Sequence, residues 1–227
     1  MTRVKLCGLM SRDDIRMAVE AGADSLGFVT EYPVPVPWNL QRDVSASLAA
    51  LAPPFVTTTA VVGGEVSDMI DIALTVRPHF LQLHGDETPE MIREVCVALE
   101  GTGIGVLKAL RIDVDTGEAR FQNTDPVKAA EKIARLGVAG LVVDSKTSAR
   151  PAGTGVALDW SLARKITENI DVPLILAGGL SALNVAEAIE KVRPYGVDVI
   201  SGVESAAGVK DGKLMAAFVA AAKGKYL

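Results

Sequence analysis

Two side chains in this sequence have the types and settings for acid and base chemistry. Cys7 closes the short apolar run Arg3-Val4-Lys5-Leu6-Cys7-Gly8, and the polar segment Ser11-Arg12-Asp13-Asp14 behind it reads as a helix start. A thiol at the C-terminal tip of a first strand, with glycine opening the turn, is placed to face a ligand; the alternative is plain packing, because free cysteine is among the most buried residue types. Asp144 ends Leu141-Val142-Val143, so a carboxylate leaves a strand that should otherwise be buried, where such a group needs a partner or a role. If both face one pocket, one can remove a proton while the other supplies one, which equips an isomerisation. The competing reading pairs Asp144 with Lys108 or Lys146 as a structural ion pair.

Other groups cluster at the same strand ends. Period-two alternation puts Lys5 on the face of Cys7, and a buried ammonium needs a partner; Asp198, on a last strand closing against the first, would supply it and leave a positive field below the thiol. That field should lower the thiol pKa, while desolvation should raise that of the acid. Gln82 and His84 share one face of a fourth strand, and His84 could donate to a substrate oxygen or simply be a hydrogen-bonded barrel histidine. Gly178-Gly179 and Gly202 let the backbone approach a ligand and aim N–H groups at an anion, unless they only permit tight turns. Gly153-Thr154-Gly155 has the composition of a loop that covers a ligand. No Walker or Rossmann fingerprint occurs, so nucleotide hydrolysis and NAD chemistry have no support.

The elements that must position these groups alternate along the whole chain. Apolar, β-rich runs at residues 3–8, 24–29, 55–62, 79–83, 104–109, 139–144, 173–177 and 197–201 are followed by segments of helical period at 12–21, 41–51, 66–76, 88–100, 125–135, 159–168, 181–192 and 211–223. Asp125-Pro126 offers an N-cap with proline behind it, and Ser181 precedes the run to Val192. Eight such units in 227 residues predict an α/β fold, a closed (β/α)8 TIM barrel with eight parallel strands, rather than an open doubly wound sheet. No linker divides the chain, so residues 1–227 read as one domain. The long irregular stretches, 30–40 and 111–124, should lie on the catalytic face.

Composition narrows the partners. A formal charge of -5 and a pI near 5.2 argue against a nucleic-acid surface, while a small anion remains open to backbone N–H groups. Cys7 and Cys96 lack metal-ligand spacing, which points away from zinc and disulfides and toward a reducing, cytoplasmic setting. No run is long enough to span a membrane.

These residues resemble the phosphoribosylanthranilate isomerase family. The likeness runs through Lys5-Leu6-Cys7-Gly8, Gly22-Ala23-Asp24, Leu81-Gln82-Leu83-His84-Gly85, Val143-Asp144-Ser145-Lys146, Gly153-Thr154-Gly155, Leu158-Asp159-Trp160, Ala177-Gly178-Gly179-Leu180-Ser181, Asn184-Val185 and Val197-Asp198-Val199-Ile200-Ser201-Gly202-Val203-Glu204, in order over nearly the whole chain. The resemblance implies a barrel enzyme of tryptophan biosynthesis, acting without metal or redox cofactor on a small phosphorylated sugar, as a monomer or homodimer. It implies Asp144 as the acid that opens the ribose ring, Cys7 as the base at C2′, and the Gly178-Gly179 and Gly202 loops as the phosphate cradle. One departure is visible. After the second strand the family usually carries Ser-Pro-Arg, whose arginine meets the anthranilate carboxylate; this chain reads Val34-Pro35-Val36-Pro37-Trp38-Asn39. Arg42, Arg111 or Arg150 could replace that cation, Trp38 could stack instead, or the chain could be a paralogue acting on another amino-aldose phosphate. A noncatalytic phosphate-binding barrel is the remaining alternative.

Overall fold

The computed structural model describes residues 1–146 and 159–224. Alternation of β-branched runs with capped amphipathic segments produces eight parallel strands: β1 (Arg3–Leu6), β2 (Ser25–Thr30), β3 (Thr57–Val62), β4 (Phe80–Leu83), β5 (Gly105–Asp113), β6 (Gly140–Lys146), β7 (Leu174–Leu176) and β8 (Gly196–Val199). Each pairs with its successor, and β1 pairs with both β2 and β8, so the sheet closes into the expected (β/α)8 barrel. The helices are α1 (Arg12–Ala21), α2 (Arg42–Ala49), α3 (Val66–Val76), α4 (Pro89–Ala98), α5 (Pro126–Ala134), α6 (Trp160–Asn169), α7 (Val185–Val192) and α8 (Gly212–Ala222).

Local chemistry sets the helix ends. Ser11 Oγ accepts the Asp14 N–H while Asp14 Oδ2 accepts the Ser11 N–H, a reciprocal cap that starts α1 directly behind Cys7. Asp125 caps α5 ahead of Pro126. Helix α7 begins at Val185 and not at Ser181: the Ser181 N–H donates to Asn184 Oδ1 at 2.8 Å, which folds 181–184 into a turn first.

The strands' outward side chains and the helices' inner faces form the main core, while two smaller clusters fill the barrel itself. Leu107, Ala109, Val142 and Ala177 occupy the lower layer, where glycine makes room for large neighbours: a Cβ on Gly105 would meet Phe80 at 2.9 Å. Cys7, Val29, Trp38 and Val61 form the upper layer.

Three segments depart from the sequence reading. Strands β5 and β6 run on to Asp113 and Lys146, paired in register past Arg111 and Asp144, so Lys108 is mid-strand and Asp113 occupies the tip. Within 30–40, Asn39–Leu40 adds a short parallel strand to β2. Between β8 and α8, a Ser201–Val203 turn leads into a small hairpin of Glu204–Ala206 and Val209–Lys210. Elements of two or three residues are too short to show a hydrophobic period. Among the described residues, no helix is long and apolar enough to cross a membrane.

Candidate active site

The C-terminal ends of the strands surround one cavity. Cys7 lies on its wall, just past β1, with its N–H held by the Val199 carbonyl at 2.9 Å and only 1% of the residue exposed. Its sulfur fits because β2 carries glycine opposite: a Cβ on Gly27 would sit 2.6 Å from Sγ. Two residues below, Lys5 meets Asp198 across the β1–β8 seam, Nζ to Oδ2 at 2.6 Å, with the Cα atoms directly paired. Alternation along strand β1 and barrel closure thus bring together the charges that the sequence placed on one face.

The electrostatic result differs from the sequence expectation. Burial is the dominant influence on Cys7 and pushes the thiol up; Lys5 and Lys210 oppose it, but Asp198 reinforces it, so the net shift is upward and not downward. For Lys5 burial is also the largest single effect and acts downward, yet Asp198 and Cys7 together outweigh it and keep the ammonium above its ordinary range. Resting Cys7 is therefore a thiol that must give up its proton to act as a base.

Asp144 enters the same cavity from β6. Its Oδ2 lies 3.3 Å from His84 Nε2, and His84 Nδ1 lies 3.1 Å from Gln82 Nε2, so the fourth strand supplies a short polar row behind the carboxylate. The alternative Lys108–Asp144 pair does not form. Lys108 points to the outer face of β5, where Nζ contacts Glu87 Oε2 at 2.7 Å and donates to the carbonyls of Gly85 and Ala109. Burial lowers this ammonium, partly offset by Glu87. The Lys146 side chain lies outside the described set.

Gly178 and Gly179 line the cavity at φ of +84° and +63°. A Cβ on Gly178 would overlap the backbone of Ser145, so here glycine permits both the turn and the close approach. Asn184 Nδ2 holds the Gly179 carbonyl at 2.9 Å. Gly202 sits behind the wall, where a Cβ would strike the Leu180 carbonyl; neighbouring Ser201 reaches the cavity instead. Gly153 and Gly155 lie outside the described residues. Gln82 and Asp198 also line the cavity, and Gln82 Oε1 and Asp198 Oδ1 are buried with no hydrogen-bond partner among the described residues.

Of the cations weighed for the altered loop, Arg42 is clamped by Glu31 at 2.6 Å and Arg111 by Asp86, and neither lines the cavity. Arg150 lies outside the described residues. Trp38 does line it, 5% exposed, beside Val36 and Tyr32, whose hydroxyl donates to the His84 carbonyl at 3.0 Å. Sequence reasoning missed Tyr32, Glu204 and Lys210. Only the proline-rich composition of 30–40 could have flagged the first, and the other two sit in a hairpin without a period.

The arrangement is an apolar pocket with an acid, a thiol, a histidine and two free acceptors, bounded on one side by backbone turns. Residues 4–221 match the family model described as N-(5′-phosphoribosyl)anthranilate (PRA) isomerase. The chain is 41% identical to N-(5′-phosphoribosyl)anthranilate isomerase of Haloferax volcanii over 224 residues, covering 98% of this chain and 94% of that protein. Among solved structures it is similar to phosphoribosyl anthranilate isomerase of Thermotoga maritima, with TM-score 0.82, 31% identity and coverage of 99% and 100%. A phosphoribosyl anthranilate isomerase in complex with reduced 1-(o-carboxyphenylamino)-1-deoxyribulose 5-phosphate matches with TM-score 0.78 and 30% identity, covering 99% of this chain and 100% of that one.

Proposed function

The chain belongs to the N-(5′-phosphoribosyl)anthranilate isomerase family, and we propose that Asp144 and Cys7 divide the proton transfers of its reaction. The enzyme converts N-(5′-phosphoribosyl)anthranilate to 1-(2-carboxyphenylamino)-1-deoxyribulose 5-phosphate, an aldose-to-ketose isomerisation in tryptophan biosynthesis. Asp144 gives its proton to the ribose ring oxygen as the C1′–O bond breaks and the aryl nitrogen lone pair forms C1′=N. Cys7, as thiolate, removes the C2′ proton; the released electrons form C1′=C2′ and return to nitrogen. The enol hydroxyl at C2′ then loses its proton as C1′ gains one, giving the ketone. Proton count and oxidation level balance within substrate, acid and base.

The observation that carries this assignment is that Asp144 and Cys7 open on one cavity from different strands, between backbone turns and an apolar wall. Gly178, Gly179 and Ser201 have the backbone N–H groups to hold the phosphate, with Gly202 keeping their two loops in contact. Gln82 Oε1 and Asp198 Oδ1 are acceptors suited to sugar hydroxyls, and His84 orients Asp144. Lys5 supplies the field at the thiol.

The two free cysteines support work in a reducing cytoplasm, and the charge of -5 fits a small phosphorylated substrate rather than nucleic acid. We take residues 1–227 as one catalytic domain, monomeric or homodimeric. The test is the loss of anthranilate-type fluorescence as purified enzyme consumes N-(5′-phosphoribosyl)anthranilate. Turnover by the wild type that is abolished in Cys7→Ser and in Asp144→Asn supports the assignment; turnover that survives either change removes that residue from it.

A further inference from the structure

The cavity lining is of two chemical kinds. Gly178, Gly179 and Ser201, from the loops after β7 and β8, form an anion end rich in backbone, while Val29, Tyr32, Val36, Trp38 and Val61, from β2, the loop behind it and β3, form an apolar wall. Trp38 differs from its apolar neighbours in being fixed by a buried ionic group. Its indole N–H donates to Glu204 Oε1 at 2.5 Å, the same oxygen lies 2.8 Å from Lys210 Nζ, and Lys210 also donates to the Ile200 carbonyl at 2.9 Å. The Lys210 and Glu204 side chains are 0% and 4% exposed. Gly8, at φ +72°, closes the other side: a Cβ there would be 3.0 Å from Trp38 Cγ and Cδ1. Burying a charged pair is costly, and an indole does not need one in order to pack. Here the pair satisfies the indole's only polar atom from a hairpin 166 residues away and, through Ile200, ties that ring to the Ser201–Val203 turn at the anion end.

We propose that Trp38 is the specificity-determining wall for the aryl group of the substrate, and that Glu204 and Lys210 are positioning residues that set its ring. The inference rests on the isomerase reading, which supplies an N-aryl aminosugar phosphate as the occupant. A pre-oriented indole with its N–H already satisfied offers rigid apolar surface, so an aryl ring can pack against it without stranding a donor or freezing a rotamer. Recognition at this end then depends on contact area and is separable from phosphate binding at the other.

Two substitutions test it. Trp38→Leu should raise KM for N-(5′-phosphoribosyl)anthranilate about tenfold or more with kcat within about threefold, and leave the inhibition constant of inorganic phosphate unchanged. Trp38→Phe, which keeps an aromatic ring but loses the tether, should fall between. Parallel loss of phosphate inhibition would mean general loosening and would overturn the proposal, as would an unchanged KM. A second measurement needs no change at Trp38. The chain has two tryptophans, so Trp160→Phe, outside the cavity wall, leaves Trp38 as the sole indole. The product 1-(2-carboxyphenylamino)-1-deoxyribulose 5-phosphate should quench its emission over the concentrations that inhibit turnover, whereas inorganic phosphate should not. Inhibition without quenching overturns the wall. Absence of both turnover and product binding overturns the isomerase reading, and the wall with it.

Discussion

Lys5 and Asp198 form a 2.6 Å ion pair inside the barrel, on the same strand face as the Cys7 thiol and two residues below it. The pair cuts both ways: the ammonium favours the thiolate and the carboxylate opposes it, while burial, the largest influence, raises the thiol. A general base must be deprotonated to act, so a raised pKa moves the ascending limb of kcat/KM to higher pH. The limb should therefore lie above the ordinary thiol value. Lys5→Met removes the favourable charge and leaves the unfavourable one, which moves the limb further up. A pH–rate profile in which wild-type activity is already flat below that value contradicts the raised thiol.

Cys7→Ser and Asp144→Asn should each lower kcat by about 10²- to 10⁴-fold, the usual contribution of a positioned acid or base. Asp144→Asn keeps a side chain of the same shape beside His84, 3.3 Å away in the wild type, so its circular dichroism spectrum should match that of the wild type. Steady-state turnover near normal in a folded variant would refute the role of the residue changed.

Glu87 and Lys108 were paired by packing and not by sequence spacing. Their side chains are 2% and 1% exposed, and the Gly85 N–H also donates to Glu87 Oε1 at 2.7 Å, so the pair anchors the turn that follows His84. Lys108→Met strands a buried carboxylate and should destabilise the fold by about 3–5 kcal/mol, read from the urea midpoint. Asp144→Asn, which keeps an acceptor oxygen beside His84, should leave the midpoint nearly unchanged. Equal shifts in the two variants would mean that Lys108 and Asp144 share a structural role after all.

The barrel was legible because two periods alternate cleanly. Arg3-Val4-Lys5-Leu6-Cys7 fixes which side chains share a face, which brought Lys5 under Cys7, and closure of β1 against β8 put it opposite Asp198. That Cys7 and Asp144 face one cavity was legible because a polar group toward the end of a strand stands out against an apolar run. What failed were properties of three-dimensional surroundings. Whether β5 ends near Lys108 or runs on to Asp113 depends on where pairing with β6 ends, and the sign of the Cys7 shift depends on how fully the sulfur is buried. The Trp38–Glu204–Lys210 group joins a proline-rich loop to a seven-residue hairpin, neither of which carries a period.

Gly179 offers the cleanest separation of turn geometry from anion binding. Its φ of +63° disfavours most side chains, but asparagine and aspartate both tolerate that region and have nearly the same shape. Any backbone strain is therefore common to Gly179→Asn and Gly179→Asp, and the difference between them is one negative charge at the 178–179 turn. If the 178–179 turn holds phosphate, KM for the aspartate variant should exceed that for the asparagine variant by about tenfold, equivalent to ~1.4 kcal/mol, and the inhibition constant of inorganic phosphate should rise by a similar factor. The effect on kcat should be smaller, because neither variant removes the Asp144 carboxyl or the Cys7 thiol. Gly178→Asp would not serve, since a Cβ there already collides with Ser145 and the fold itself would pay. Equal KM values for the two Gly179 variants would reduce this glycine to a turn former and move the phosphate elsewhere in the cavity.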